Sequence, residues 1–279
     1  MQTFHTIRSK HKLLDFSVPR VMGILNLNND SFYSGSRIMD LGKFQEKALQ
    51  MVEEGAEILD IGAMSSRPGA KISIAEHEAD IIQAAVKTIR KVCPDVWISI
   101  DTVHSLVAET AIDQGADIIN DISAGSVDSR LPYIAAENEI PYVLMHMRGT
   151  PETMQSFSSY EDVVFEILSF FKGKIKILQE IGVRDIIIDP GIGFAKNSES
   201  NFHLVDQLGI FKILERPLMV GLSRKSFIYK TLNTDPDHAL NGTTALHMAS
   251  LLNGATLLRA HDVVEAVETI TLFNMLKNR

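Results

Sequence analysis

Eight short, nearly continuous apolar runs recur along the chain, at residues 21–27, 57–61, 96–100, 117–121, 142–146, 185–189, 218–222 and 256–259. Runs that are apolar without alternation predict parallel strands covered on both faces. Between them the apolar positions return with helical spacing. Phe44, Ala48, Met51 and Val52 share one helical face, as do Ile81, Ile82, Ala85 and Ile89. Further helices are predicted over 104–114, 128–138, 160–181, 200–214, 239–253 and 263–277, with a short extra one over 226–232. Gly55, Gly115, Gly182 and Gly254 follow a last predicted turn and precede the next strand by a few residues. Glycine there takes a left-handed helix cap at little cost.

Strand, helix and stop therefore alternate from end to end. The pattern predicts an α/β fold, a closed (β/α)8 TIM barrel, rather than a doubly wound sheet. It is read as a single domain over residues 1–279, with 1–19 as an N-terminal extension. The longest irregular stretches, 28–41, 62–75 and 148–159, each follow a predicted strand. They belong to the C-terminal face, where such loops serve as lids.

Composition narrows the function. The 279 residues are 45% hydrophobic, enough for one large core. A net charge of -8 argues against a nucleic-acid partner, which needs a concentrated basic face. The first twenty residues lack the apolar core of a signal peptide, and no apolar run approaches membrane-spanning length. The expectation is a soluble, cytoplasmic protein with no membrane partner. Cys93 is the sole cysteine, which excludes an internal disulfide and a CxxC metal site.

Candidate chemistry collects at one end of the predicted strands. Asn26, Asp60, Asp101, Asn120 with Asp121, His146, Asp189, Ser223 with Arg224 and Lys225, and Arg259 with His261 all fall there. In a barrel these positions ring the C-terminal mouth. Some have structural readings: Asp60 as a brace for its loop, His146 as a satisfied core histidine, Arg224 as a solvated helix start. The carboxylates and amides suit a ring with several N–H donors. Arg67, Lys225, Arg259 and His261 suit an anion such as diphosphate. No HExxH, no Walker loop and no Ser-His-Asp grouping is present.

These residues resemble dihydropteroate synthase over about 21–271. The resemblance rests on Met22-Gly23-Ile24-Leu25-Asn26 with Asp30-Ser31-Phe32, on Ser65-Ser66-Arg67-Pro68-Gly69, and on Asp189-Pro190-Gly191-Ile192-Gly193-Phe194. Gly221-Leu222-Ser223-Arg224-Lys225-Ser226 and Arg259-Ala260-His261 complete it. The chain departs at Asn28 and Asn29, where the family usually has Thr-Pro, and at Met64, where it usually has glutamate. The resemblance implies a folate-pathway transferase and sulfonamide target that joins pterin diphosphate to para-aminobenzoate. Asp101, Asn120, Met145, Asp189, Gly221 and Lys225 would hold the pterin. Asn26, Arg67, Arg259 and His261 would surround the diphosphate, with Asn26 a ligand to Mg2+. Ser66, Arg67, Pro68, Phe194, Lys225 and Ser226 would border para-aminobenzoate. Asp101, Arg67, Lys225 and Asp30 would be catalytic, and the protein would form a homodimer. A pterin-binding methyltransferase module and a non-catalytic pterin-binding paralogue are the alternatives.

Overall fold

The computed structural model of the chain describes residues 6–10, 12–27, 41–63, 69, 72 and 74–277. A small antiparallel pair comes first, β1 (Thr6–Ser9) and β2 (Lys12–Asp15). Eight parallel strands follow: β3 (Arg20–Asn26), β4 (Ile58–Gly62), β5 (Trp97–Asp101), β6 (Ile118–Asp121), β7 (Tyr142–Met145), β8 (Ile186–Asp189), β9 (Met219–Val220) and β10 (Leu257–Ala260). Strands β3 to β8 pair in chain order, while β10 lies between β9 and β3. The ring closes where β8 meets the start of β9, through a parallel bridge between Ile188 and Leu218. Strand β9 is shorter than its apolar run. Pro217 offers no N–H before it, and Leu218 N–H is taken by Thr256 Oγ1 at 3.0 Å.

The outer layer is α1 (Leu41–Glu53), α2 (Ala75–Val92), α3 (Ser105–Asp113), α4 (Leu131–Glu137), α5 (Val163–Glu180), α6 (Ser198–Gln207), α7 (Ser226–Thr231), α8 (Leu240–Leu252) and α9 (Val263–Lys277). The apolar stripes face the wall: Phe44, Ala48 and Met51 of α1 are buried, as are Ile82, Ala85 and Ile89 of α2. Asp162 caps α5 by accepting from Val164 and Phe165 N–H at 3.0 and 2.9 Å. The four glycine stops hold φ between 100° and 106°. Helices and strands thus share one large core.

A second apolar cluster shuts the N-terminal end. Ile7, Leu14 and Phe16 pack with Met22, Ile58, Trp97, Ile118, Val143, Ile187, Met219 and Leu257, which come from every wall strand. Lys12 fastens the hairpin by donating to Val96 O at 2.9 Å and Asp117 at 3.0 Å. The sequence reads this segment only as a polar extension, because two four-residue strands are too short for their alternation to register. With that end plugged, the C-terminal mouth is the open one. Among the described residues, no helix is long and apolar enough to cross a membrane.

Candidate active site

Strand register decides which polar side chains meet. Asn26 lies opposite Gly62, Gly62 opposite Asp101, and Asp101 opposite Asn120. Gly62 leaves a notch in this row. A Cβ there would sit 3.4 Å from Asn26 Oδ1 and 3.7 Å from Asp101 Oδ2. Two side-chain oxygens therefore border one small space at the mouth.

Asp60 sits two residues deeper on β4 and is fully buried. Its Oδ2 accepts from Asn120 Nδ2 at 3.1 Å and from Arg259 Nε at 2.7 Å. Arg259 Nη2 bridges Asp60 and Asp101 at 2.6 and 2.7 Å. The inward pleat of β4 thus places Asp60 beneath the site, tied to Asn120 and Arg259. Two carboxylates share one guanidinium, so local negative charge exceeds positive. Burial raises the Asp101 carboxyl to about 7, with Arg259 opposing and Asp60 adding to the rise.

Asp189 ends β8. Its Oδ1 accepts from Gly191 N–H at 2.8 Å, and burial raises its carboxyl, with Lys225 opposing. Lys225 precedes α7, and its ammonium donates to Ile192 O. That ammonium lies 4.4 Å from the centre of the Phe194 ring, within cation–π range. Burial lowers Lys225 to about 8, with Asp189 opposing. Gly221 keeps the space beside it clear. A Cβ there would be 3.9 Å from Lys225 Nζ and 4.0 Å from Arg259 Cδ, so both cations border one opening. Met145 and Phe194 add an apolar surface with Val103, Ile122 and Met147.

The final turns complete the rim. Ser223 Oγ accepts from His261 N–H at 3.2 Å and lies 3.0 Å from His261 Nδ1. Arg224 is partly exposed but paired. It donates to both oxygens of Asp262 at 2.9 and 2.8 Å, tying the turn before α7 to the turn before α9. Ser226 is exposed on the first turn of α7. Asp121 is committed to its own loop, accepting from Ser123 and Gly125 N–H and from Tyr142 Oη. Asp30, Ser66, Arg67 and Pro68 lie outside the described residues, as do Asn28, Asn29 and Met64.

Sequence reasoning passed over Lys196 and Asn201. Asn201 accepts from Gly193 N–H at 2.7 Å and so fixes the turn after β8. Lys196 is a lysine in a polar loop, and nothing local marks it as buried.

Among the described residues, no cluster of three or more His, Cys, Asp or Glu side chains is arranged to hold a metal. What the site offers is oxygen and nitrogen donors around a mouth with carboxylates at its floor. A family model described as pterin binding enzyme matches residues 22–261. That match gives the class: a pterin-binding enzyme on a TIM barrel. A dihydropteroate synthase from Synechocystis is 42% identical over 246 residues, covering 87% of this chain and 85% of its own. A Yersinia pestis dihydropteroate synthase, solved as a sulfonamide drug complex, superposes with a TM-score of 0.92 at 34% identity, over 99% of this chain and all of its own. One from Xanthomonas albilineans, solved with 4-aminobenzoic acid, gives 0.91 at 31% identity over the same shares. Within the pterin-binding enzymes, the chain belongs to the dihydropteroate synthase family.

Proposed function

We propose that the chain condenses 6-hydroxymethyl-7,8-dihydropterin diphosphate with para-aminobenzoate, giving 7,8-dihydropteroate and diphosphate. The observation that carries this reading is the shared opening at Gly221, bordered by Lys225 on one side and Arg259 on the other. The carboxylates Asp189 and Asp101 stand at the floor of the barrel mouth. Asp189 accepts the paired N–H donors of the aminopyrimidinone edge. Asn120 and Lys225 serve the remaining ring edge, with Met145 and Phe194 against its faces. Arg259 and His261 take the diphosphate, joined by Arg67 on the resemblance. On the same resemblance Ser66, Arg67, Pro68, Phe194, Lys225 and Ser226 would border the arylamine.

The reaction breaks the bond from the pterin methylene carbon to the diphosphate oxygen, and the electron pair leaves with diphosphate. The amine lone pair then forms the C–N bond, and the amine loses a proton. An aromatic amine is neutral near pH 7, so no general base is needed to expose that lone pair. Asp101 stabilises positive charge developing on the methylene carbon. The resemblance gives Asp30 and Arg67 catalytic roles beside Asp101.

Magnesium would be held by Asn26, whose exposed position at the end of β3 offers the hard side-chain oxygen that such an ion prefers. Bound with the substrate, it would withdraw charge from the diphosphate leaving group. We also assign the protein to the cytoplasm and to a homodimer packed through outer helices, where Leu272 and Met275 of α9 are exposed.

The reading is tested by supplying both substrates with Mg2+ and measuring diphosphate release. Release that requires para-aminobenzoate is expected. Tight pterin binding without release would leave a binding paralogue instead. In parallel, Asp189→Ala is expected to abolish pterin binding in a folded barrel; retained affinity would sink the pocket assignment.

A further inference from the structure

We propose that Lys196 is a positioning residue for the pterin and arylamine subsites, acting as an internal clamp on the 189–194 turn. The side chain is 6% exposed, although it follows a loop and carries a charge. Its ammonium has three protons and finds three good acceptors. It donates to Gly191 O at 2.9 Å, to Phe194 O at 2.9 Å, and to His146 Nδ1 at 3.2 Å. A longer contact reaches His146 O at 3.4 Å.

These bonds gather the functional turn around one point. Gly191 is the residue whose N–H holds Asp189 Oδ1. Phe194 is the ring against Lys225, and Ile192 O is the acceptor for the Lys225 ammonium. His146 belongs to the same knot, because its N–H donates to Asp189 O at 2.9 Å. Gly191 lies so close to β7 that a Cβ on it would approach His146 O to 2.0 Å. The turn is therefore pressed against the wall and tied from within, and Lys196 supplies the ties. Burying an ammonium is costly unless its protons are satisfied. An apolar side chain of the same length would fill the space without that cost. The carbonyls of Gly191 and Phe194 explain the charge, because they need a donor where water has little access.

Burial holds His146 neutral, lowering it to about 3, with the Lys196 charge adding to the effect. In the neutral tautomer protonated at Nε2, its Nδ1 accepts from the ammonium. Tyr160 supports the same loop by donating to Ala195 O at 3.0 Å, and its ring stacks under the Arg148 guanidinium at 3.9 Å.

The inference rests on the pocket assignment above, and the test separates the two. Lys196→Met keeps the length and removes the donors. Its circular dichroism and melting establish folding. The KM for both substrates is expected to rise about tenfold, with kcat within about threefold of the parent. Affinity for 6-hydroxymethylpterin, measured by calorimetry, should fall to match. A purely structural role would instead reduce the folded fraction, lowering apparent kcat at unchanged KM, and that result overturns the proposal. Lys196→Gln, which retains two shorter-reaching donors, is read by the same split should the methionine variant fail to fold; unchanged KM in that folded protein also overturns it. Asp189→Ala runs alongside. Lost pterin binding in Asp189→Ala with unaltered KM in folded Lys196→Met refutes the clamp alone. Intact binding in Asp189→Ala refutes the pocket and the clamp together.

Discussion

Asp101 and Lys225 sit at opposite sides of the same chemistry, and burial moves their proton equilibria towards each other. Asp101 must be ionised to stabilise a cation, and burial raises it to about 7. Lys225 must be protonated to donate, and burial lowers it to about 8. The sign follows directly: kcat/KM rises with pH as Asp101 loses its proton and falls as Lys225, and Lys196, which burial lowers to about 7, lose theirs. A narrow bell with its top between these values is expected, reporting groups of the free enzyme. Asp101→Asn should remove the acid limb and lower the plateau; an unchanged acid limb in that variant would exclude Asp101 as its source. Arg259 has two tasks at once. On the proposed reading it takes the leaving diphosphate, and its guanidinium offsets two buried carboxylates. Arg259→Ala is expected to lose on the order of 100-fold in turnover, as removal of a charge-stabilising donor does. It should also cost about 3 kcal/mol of stability, because Asp60 and Asp101 are left without their cation. Diphosphate release and urea unfolding measure the two effects separately. Arg259→Lys restores the charge without the planar fork, so it should recover stability more fully than turnover.

At the scale of elements, the two ends of the barrel have been given different work. The N-terminal hairpin closes the bottom with Ile7, Leu14 and Phe16, at the opposite end of the wall strands from the described candidate site residues. Phe16→Ala is therefore expected to destabilise the protein by about 3 kcal/mol, as large-to-small core changes do. Both KM values should stay within experimental error; a changed KM would show that the plug reaches the mouth. The top is built from turns tied to one another. Arg224, at φ 54°, holds Asp262 across two successive βα turns, and Asn201 on α6 holds Gly193 after β8. The eight strands and the glycine stops were legible because period and cap chemistry act over a few residues. The hairpin and the short β9 were not. Two four-residue strands carry too little pattern, and β9 is cut short by a side-chain bond from Thr256, a residue distant in sequence.

For the molecule as a whole, the closed wall brings together residues that no local pattern relates. If a magnesium ion is held by Asn26 with the substrate, chelation should abolish diphosphate release and added Mg2+ should restore it; release undiminished in chelator would remove the metal from the reading. Sedimentation at twice the 31.0 kDa chain mass is expected for the dimer. The sequence alone determined the alternation of the eight wall strands with their helices and the identity of the polar residues at the strand ends. These follow from hydrophobic period, glycine caps and the direction of parallel strands, all readable without knowing which strands touch. Only the tertiary structure decided how those residues pair. Arg259 reaches Asp60 across 199 positions and Asp101 across 158, and Lys196 reaches His146 across 50. The cause is register in a closed ring, which sets side chains from distant strands at hydrogen-bonding distance. It made Asp60 a support for the site, and it buried a lysine that the chain presents as an ordinary loop residue.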